Sequence, residues 1–511
     1  MSVYTKIKVE EYAGTREWFG LVALAIPTLL LSIDTSVLYL ALPALSVDLK
    51  ANSAQQLWIM DIYGFMIAGL LITMGSLGDR IGYRRLLITG STAFGFASVL
   101  AAFSQSSIML IIARAIMGMA GATLMPSTLA LIRNMFVNPK QRGTAISVWM
   151  SCFMAGMIAG PLVGGLVLEH FRWGTVFLID VPVVIVVIFA GPVLVREYHH
   201  GDARPLDIPG VIFSLAAILP FVYGLTELSR NNFQLIPILS ILAGGIFGIA
   251  FVYRENATPN SLIDFSLFTT SSFRITLIAM MLTAAIMGGT ALFMAQYLQM
   301  VTGLSPFYAG LWMIPQAIGM ITGSMVVPLI VSKIRPGIII TTGFLISAVG
   351  MLVIAFVPAI NGLTLLETGF VMAVTGASPI LVLGTGLIIG ASPPKKAGAA
   401  ASVAETGNQL GIALGVAFLG NTGAFFYQKV MANTIPASLT GSAWKTAHES
   451  IMGATSVAAG LPGQRSVTLI VSAKEAFVKG LHVVAVSGAI IFAILACITA
   501  TGLYKVGTVN E

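Results

Sequence analysis

Apolar residues along this 511-residue chain come in long, nearly unbroken runs. They show neither the alternation of a half-buried strand nor the single stripe of a surface helix. Bounded by charges, prolines or glycine clusters, the runs lie near 18–41, 56–77, 86–105, 107–130, 144–167, 175–195, 208–228, 235–253, 274–300, 307–330, 338–358, 365–390, 398–424 and 480–504. A run of about 20 apolar residues crosses a hydrocarbon core of about 30 Å as a helix. The pattern therefore predicts an all-α polytopic membrane protein with fourteen spans, and it excludes a β-barrel, whose strands would be short and alternating. Composition agrees: 57% of residues are hydrophobic and 9% charged, against about 25% charged in a soluble protein. The first 17 residues are polar and the run after them is of full span length with no small-residue cleavage site, so no cleavable signal peptide is expected. Cys152 and Cys497 fall inside apolar runs and read as small core residues, not a disulfide.

The net charge of +7 first suggests an acidic partner, but its distribution explains it better. With a cytoplasmic N-terminus, the inner segments hold eighteen Lys and Arg and the short outer loops three: Lys50, Arg172 and Arg230. That asymmetry predicts both termini in the cytoplasm. No nucleic-acid partner is needed. The outer segment 425–479 is long. Trp444, Ala447, Ile451, Ala454 and Ala458 recur in it at helical spacing, as do Val467, Ile470, Ala473 and Phe477, with LPGQ (461–464) between them. This predicts an extracellular helical hairpin between the last two spans. A faint internal repeat, GSLGDRIGYRR (75–85) after the second span and PLIVSKIRPG (328–337) after the tenth, has Ser332 where the first copy has Asp79. Such repeats belong to transporters built as two bundles around a midplane site. Fourteen spans then divide as six, two and six: an N-terminal bundle at 1–206, an inserted helix pair and cytoplasmic loop at 207–272, and a C-terminal bundle at 273–511 that includes the long outer segment.

Charges inside the runs are the candidate chemistry. LLSIDTSVLYLALP (30–43) places Asp34 in the middle of a span, and ARAIMGMAGATLMP (113–126) places Arg114 about two turns into the fourth. An intramembrane ion is functional by default and needs a partner, and these two are candidates for one another. QLWIMDIYGFM (56–66) puts Trp58 and Asp61 three residues apart on one helical face, which suits a lipophilic cation through ring and charge together. KKAGAAASVAETGNQLGIALG (395–415) puts Ser402, Glu405 and Gln409 on one face and Gly407, Gly411 and Gly415 on another. Trp149 reads as a packing, lipid-facing or substrate-contacting aromatic, and Gln316 is the polar side chain of PQAIGMITG. Two stretches read as conformational devices. In GSLGDRIGYRR, Gly75, Asp79, Arg80, Gly82, Arg84 and Arg85 combine a tight turn with a charge cluster. In GMIAGPLVGG (156–165), Gly156, Gly160, Pro161, Gly164 and Gly165 combine a small-residue packing face with a kink.

Together these stretches resemble the major facilitator superfamily, and within it the fourteen-helix drug:proton antiporters, including quaternary-ammonium-compound efflux pumps. The resemblance covers nearly the whole chain. It rests on SIDTSVLYLALP, GSLGDRIGYRR, ARAIMGMAG, GMIAGPLVGG and AETGNQLG. It implies export of lipophilic cationic drugs, dyes such as ethidium and antiseptics in exchange for protons, with Asp34, Asp61 and Glu405 binding protons or cations and Arg114 modulating Asp34. Two departures, a tenth-span run PQAIGMITG without the acid that relatives taking divalent cations carry there, and Ala404 where some have a second acid, favour monovalent substrates.

A carboxylate that can hold a proton or a cation, but disfavours both together, is an exchanger. Asp34 with Arg114 is the first choice for proton coupling, with Glu405 and Asp61 sharing drug recognition and further protonation. Substrate contacts are expected from Trp58, Asp61, Glu405, Gln409, Trp149 and Gln316. A nucleophile–base pair, an HExxH or paired-His metal motif and a Walker GxxxxGK[ST] are all missing from the sequence, so an enzyme, a metal site, a cofactor and ATP drive are not expected. The chain is expected to act as a monomer. The alternative reading keeps the fold and the proton but exports an endogenous metabolite, siderophore or peptide antibiotic.

Overall fold

The computed structural model describes residues 12–197, 207–228, 235–258, 265–331, 333–392, 397–434, 439 and 441–504. Lys6, Lys8, Arg204, Arg230, Ser332, Lys395, Lys396 and Lys505, weighed above for topology or repeat, lie outside the described residues, as does the Ser402 side chain. The chain runs as helices α1 (Thr15–Asp48), α2 (Ser53–Ile81), α3 (Tyr83–Ala102), α4 (Ser107–Met135), α5 (Pro139–His170), α6 (Thr175–Leu178) and α7 (Asp180–Leu194). Then come α8 (Ile208–Leu228), α9 (Leu235–Ala257), α10 (Ser271–Gln296) with a π turn at Tyr297–Val301, α11 (Pro306–Trp312), α12 (Ile314–Ile330) and α13 (Pro336–Ile354). The last five are α14 (Leu363–Gly390), α15 (Ala397–Thr434), α16 (Gly441–Glu449), α17 (Ile451–Ala459) and α18 (Gln464–Gly502). Among the described residues, thirteen spans are long and apolar enough to cross a membrane, and α8 supplies the shorter apolar helix Ile208–Gly224 that completes fourteen.

Local chemistry sets the helix ends. Asn52 caps α2 by accepting from the Gln55 N–H at 2.9 Å, while Gln55 Oε1 accepts from the Asn52 N–H at 3.1 Å. Ser106 caps α4 in the same way, at 3.2 Å from the Met109 N–H. Between α2 and α3 the chain turns at Gly82, whose φ of 95° suits glycine. The tenth span breaks at Met313 into α11 and α12, with Pro315 in the opening turn of the second piece.

The helices pack as six, two and six. α1 lies on α5, α2 on α4, and α3 on α4 and α7; in the second half α10 lies on α15, α12 on α14, and α13 on α14 and α18. The second set repeats the pairings of the first, so the faint sequence repeat is a real architectural one. α8 and α9 pair with each other, and α8 also lies against α2 and α15. One charged clamp fixes that insertion: Arg254 Nη1 and Nη2 donate to both oxygens of Asp207 at 2.7 and 2.5 Å. Burial pushes the Asp207 carboxyl up, but the Arg254 guanidinium and the Gly210 N–H outweigh it and hold the group below its ordinary value.

A helical hairpin does stand between the last two spans, with one correction. Residues 464–479 are not its second arm; they are the first turns of α18, a helix of 39 residues, and the hairpin proper is α16 and α17. The LPG break at 461–463 is where expected, with Gly463 at φ 51°. Apolar spacing is the same in a packed hairpin arm and in a continued helix, which is why the pattern did not separate them. Both cysteines are free, and Cys497 is exposed on the surface of α18, not in the core as expected.

Candidate functional site

The intramembrane acid and base come together. Arg114 Nη1 donates to Asp34 Oδ2 at 2.7 Å, joining α4 to α1. Arg114 is 1% exposed, so it does not snorkel to an interface. Its Nε also reaches the Ile59 carbonyl on α2 at 3.4 Å, and the guanidinium lies over the Tyr63 ring, 4.4 Å from the centroid.

Two further acids lie in the same bundle. Asp61, on α2, is 3% exposed, and its Oδ1 has no hydrogen-bond partner. It acts electrostatically on Tyr39 of α1, which also feels Arg114. Asp180 opens α7 and is buried. It accepts from Ser98 Oγ at 2.9 Å through Oδ2, while Oδ1 is unpartnered. It lies within electrostatic reach of both Asp34 and Arg114. Sequence reading missed Asp180, because FLIDVPV places it at a run edge, where an acid is usually wet; the apolar flanks on both sides were the available signal. The core of this bundle thus holds three buried acids and one buried cation among the described residues.

The other expected residues are placed as follows. The Trp58 ring meets Phe65 and Tyr223, at centroid distances of 6.4 and 6.5 Å, so it sits where α2 meets α8. Trp149 is buried and its Nε1 donates to Thr128 Oγ1 at 3.2 Å, bracing α5 against α4. Glu405, on α15, is half-buried and accepts from Gln409 Nε2 at 2.9 Å, one turn along. Gln316 is half-buried in the opening turn of α12.

Both glycine motifs work by close approach. A Cβ on Gly156 would strike Ser32 Oγ and the Leu29 carbonyl, and one on Gly160 would strike Ser36 Oγ, so this face of α5 seats directly on α1. Gly164 continues that seat against Val37, whereas a Cβ on Gly165 would come within 2.7 Å of the Pro306 carbonyl, across on α11. Gly310 of α11 answers by abutting the Pro161 carbonyl. Gln299 Nε2, in the π turn, adds a bond to the Leu40 carbonyl at 3.1 Å. These contacts tie the two bundles together toward the face that carries the α16–α17 hairpin. On the opposite face, the Gly82 turn is held by Glu197, whose oxygens accept from the Arg84 and Arg85 N–H groups at 3.0 and 3.1 Å. A carboxylate at the start of α3 satisfies its free N–H groups and its dipole. Tyr83 donates to Asp79 at 2.6 Å, Gly75 lies near Pro126, and Arg80 is exposed.

Comparisons with known proteins agree with this fold. Residues 24–416 match the model of the Major Facilitator Superfamily. The multidrug efflux pump LfrA of Mycolicibacterium smegmatis is 38% identical, over 93% of this chain and 94% of its own. The methyl viologen resistance protein SmvA of Salmonella typhimurium is 35% identical over 93% and 95%. The tetracenomycin C resistance and export protein of Streptomyces glaucescens is 29% identical over 91% and 88%. Among solved structures, a bacterial homologue of the lysosomal transporter Spinster, in an inward-facing and unoccupied conformation, superposes with a TM-score of 0.69 at 17% identity, covering 96% of this chain and 98% of that one. At that identity the match speaks for the fold alone.

Proposed function

The chain belongs to the Major Facilitator Superfamily, a transporter and not an enzyme, and from that premise we propose that it exports lipophilic, mainly monovalent cations in exchange for protons. The efflux pumps and resistance proteins among its relatives support drug export. The observation that carries the coupling is the charge imbalance in the first bundle. Arg114 can neutralise one of Asp34, Asp61 and Asp180, and two of their oxygens are buried without a partner. An unpaired carboxylate in an apolar interior costs several kcal/mol. A proton removes that cost, and so does a cationic guest. The two therefore compete for the same oxygens.

In this reading Asp34 carries the coupling proton and Arg114 sets its affinity by pairing with the ionised form. Asp61 and Glu405, one in each bundle, recognise the guest's charge. Trp58, Trp149, Gln409 and Gln316 supply the surrounding surface. The bundles, with working boundaries at 206/207 and 272/273, rock about the α5–α11 and α2–α15 contacts to alternate access, and the Glu197-held turn with Asp79, Arg80 and Arg84 resets on the other side. Both termini face the cytoplasm of a bacterial inner membrane, the hairpin faces outward, and the working unit is a monomer.

The test is ethidium efflux from cells expressing the protein: efflux abolished by a protonophore is the expected result, and efflux indifferent to it sinks the coupling. A second reading, proton-coupled export of an endogenous metabolite, siderophore or peptide antibiotic, has the tetracenomycin C resistance and export protein in its favour. A substrate panel separates the two. Methyl viologen is a dication, so the SmvA relative makes dications the sharpest members of that panel.

A further inference from the structure

Glu367 sits on α14 of the second bundle and has no role in the account above. It is 6% exposed, and neither carboxylate oxygen has a hydrogen-bond partner. Its position is defined by the face it shares. Val371, Thr375 and Ser378 follow it at helical spacing, and these are the residues that meet α12: Thr375 and Val371 against Gly319, and Ser378 against Gly323. Ser378 Oγ also donates to the Met320 carbonyl at 3.2 Å. Continued one turn, that face aims Glu367 at the break in the tenth span, where the Gln316 backbone N–H approaches it without closing a full hydrogen bond. A helix N-terminus there favours negative charge.

The architectural repeat gives this place a meaning. α14 packs on α12 and α13 as α4 packs on α2 and α3. Arg114 lies seven residues after the first residue of α4 and reaches backbone on α2; Glu367 lies four residues after the first residue of α14 and faces backbone on α12. The second bundle thus carries an acid where the first carries a base, about 6 Å along the helix axis from the hairpin face at 1.5 Å per residue. On the hairpin side, His482 of α18 is engaged with the Val357 carbonyl at 2.7 Å. α12 and α13 carry no charged side chain. α10 carries Arg274, near its far end, and α15 carries Glu405 toward the same far end and Lys429 on the hairpin side, with Tyr427 donating to the Ala447 carbonyl. From the π turn, the Tyr297 hydroxyl is committed to the Pro358 carbonyl at 2.7 Å.

We propose that Glu367 is a second proton-carrying group of the transport cycle, sealed when the hairpin face is closed and loaded from that face when it opens. The proposal rests on the antiport reading. It deepens it by fixing a stoichiometry: two protons per monovalent cation move net charge, whereas one proton moves none.

Purified wild type and Glu367→Gln are reconstituted in proteoliposomes, and ethidium uptake is driven by an imposed pH gradient or by an imposed potential alone. The wild type is expected to respond to both, and the variant to keep pH-driven uptake while losing potential-driven uptake at least tenfold. Glu367→Asp restores the response. An unchanged potential response in Glu367→Gln overturns the proposal, and so does a wild type driven by the pH gradient alone, which leaves one-proton antiport standing. A wild type driven by neither overturns antiport itself. A further measurement needs only the wild type: dicyclohexylcarbodiimide, which adds to protonated carboxyls in apolar surroundings, is expected to label Glu367 less as pH rises. No adduct, or one indifferent to pH, counts against the assignment.

Discussion

Arg114 and Asp34 share a 2.7 Å charged hydrogen bond between α4 and α1, and the same guanidinium rests on the Tyr63 ring of α2. Three helices meet on one arginine, so the two partners are not equivalent when removed. Arg114→Ala leaves Asp34 charged among apolar groups, a loss of about 3–5 kcal/mol when a buried pair is broken. Asp34→Asn leaves a neutral group that can still accept from Arg114, while Asp180, within electrostatic reach, balances the guanidinium's charge. The expected outcome is a sharp fall in yield and thermal stability of detergent-purified Arg114→Ala, against near-normal yield but no protonophore-sensitive ethidium efflux for Asp34→Asn. Normal efflux by Asp34→Asn removes it from the coupling role.

Asp61 is expected to affect binding more than folding, because its Oδ1 gives up no hydrogen bond on substitution. Asp61→Asn should raise the apparent KM for monovalent cations by roughly tenfold, about 1.4 kcal/mol, and leave an uncharged substrate unaffected. Equal effects on both would point to a structural part for Asp61.

On α5, the glycine face has no room at all. Gly160→Val would overpack the α1 seat at Ser36 and Ile33, at a cost of about 1–3 kcal/mol. Gly165→Ala meets backbone of the other bundle instead, at the Pro306 carbonyl. The first should lower thermal stability. The second should leave stability nearly intact and slow turnover, since it opposes closure of the hairpin face; stability assays and single-turnover efflux on both variants distinguish them.

Glu197→Gln should weaken the start of α3. Its two oxygens serve adjacent N–H groups at 3.0 and 3.1 Å, and a neutral amide can accept through one oxygen only. Transport is expected to fall several-fold with ligand binding unchanged, as measured by fluorescence titration beside efflux.

Asp207 gives a pH effect with a definite sign. Its folded-state value is depressed by Arg254 and the Gly210 N–H, against the push of burial, so the clamp's stabilisation is present above the ordinary carboxylate value of about 4 and is lost as pH falls below it. Arg254→Gln should flatten the acid side of the stability profile of the purified protein.

The spans and their motifs were legible because hydropathy acts locally: a charge in the middle of a run, as at Asp34 or Arg114, stands out against its neighbours. Depth and facing are not local. Asp180 and Glu367 sit at run edges in the sequence, yet packing by other helices buries both. Trp149 read equally as a lipid, core or ligand contact, and only the Thr128 hydroxyl on a neighbouring helix distinguishes them. Glu197 follows a run like any anchoring charge; its partners are the N–H groups of a turn more than a hundred residues earlier.

The inserted helix α8 fills the groove where α2 meets α15, with Leu215 against Gly69 and Val222 packed among Phe65, Ala413 and Ala417. The opposite groove, where α5 meets α11 and α12, has no such cover among the described residues. The two flanks of this protein therefore meet the bilayer unequally: one seam is shuttered by an extra helix, and the other is held by the α5–α11 backbone seat alone. The pair of added helices makes a pseudo-symmetric pair of bundles asymmetric toward lipid.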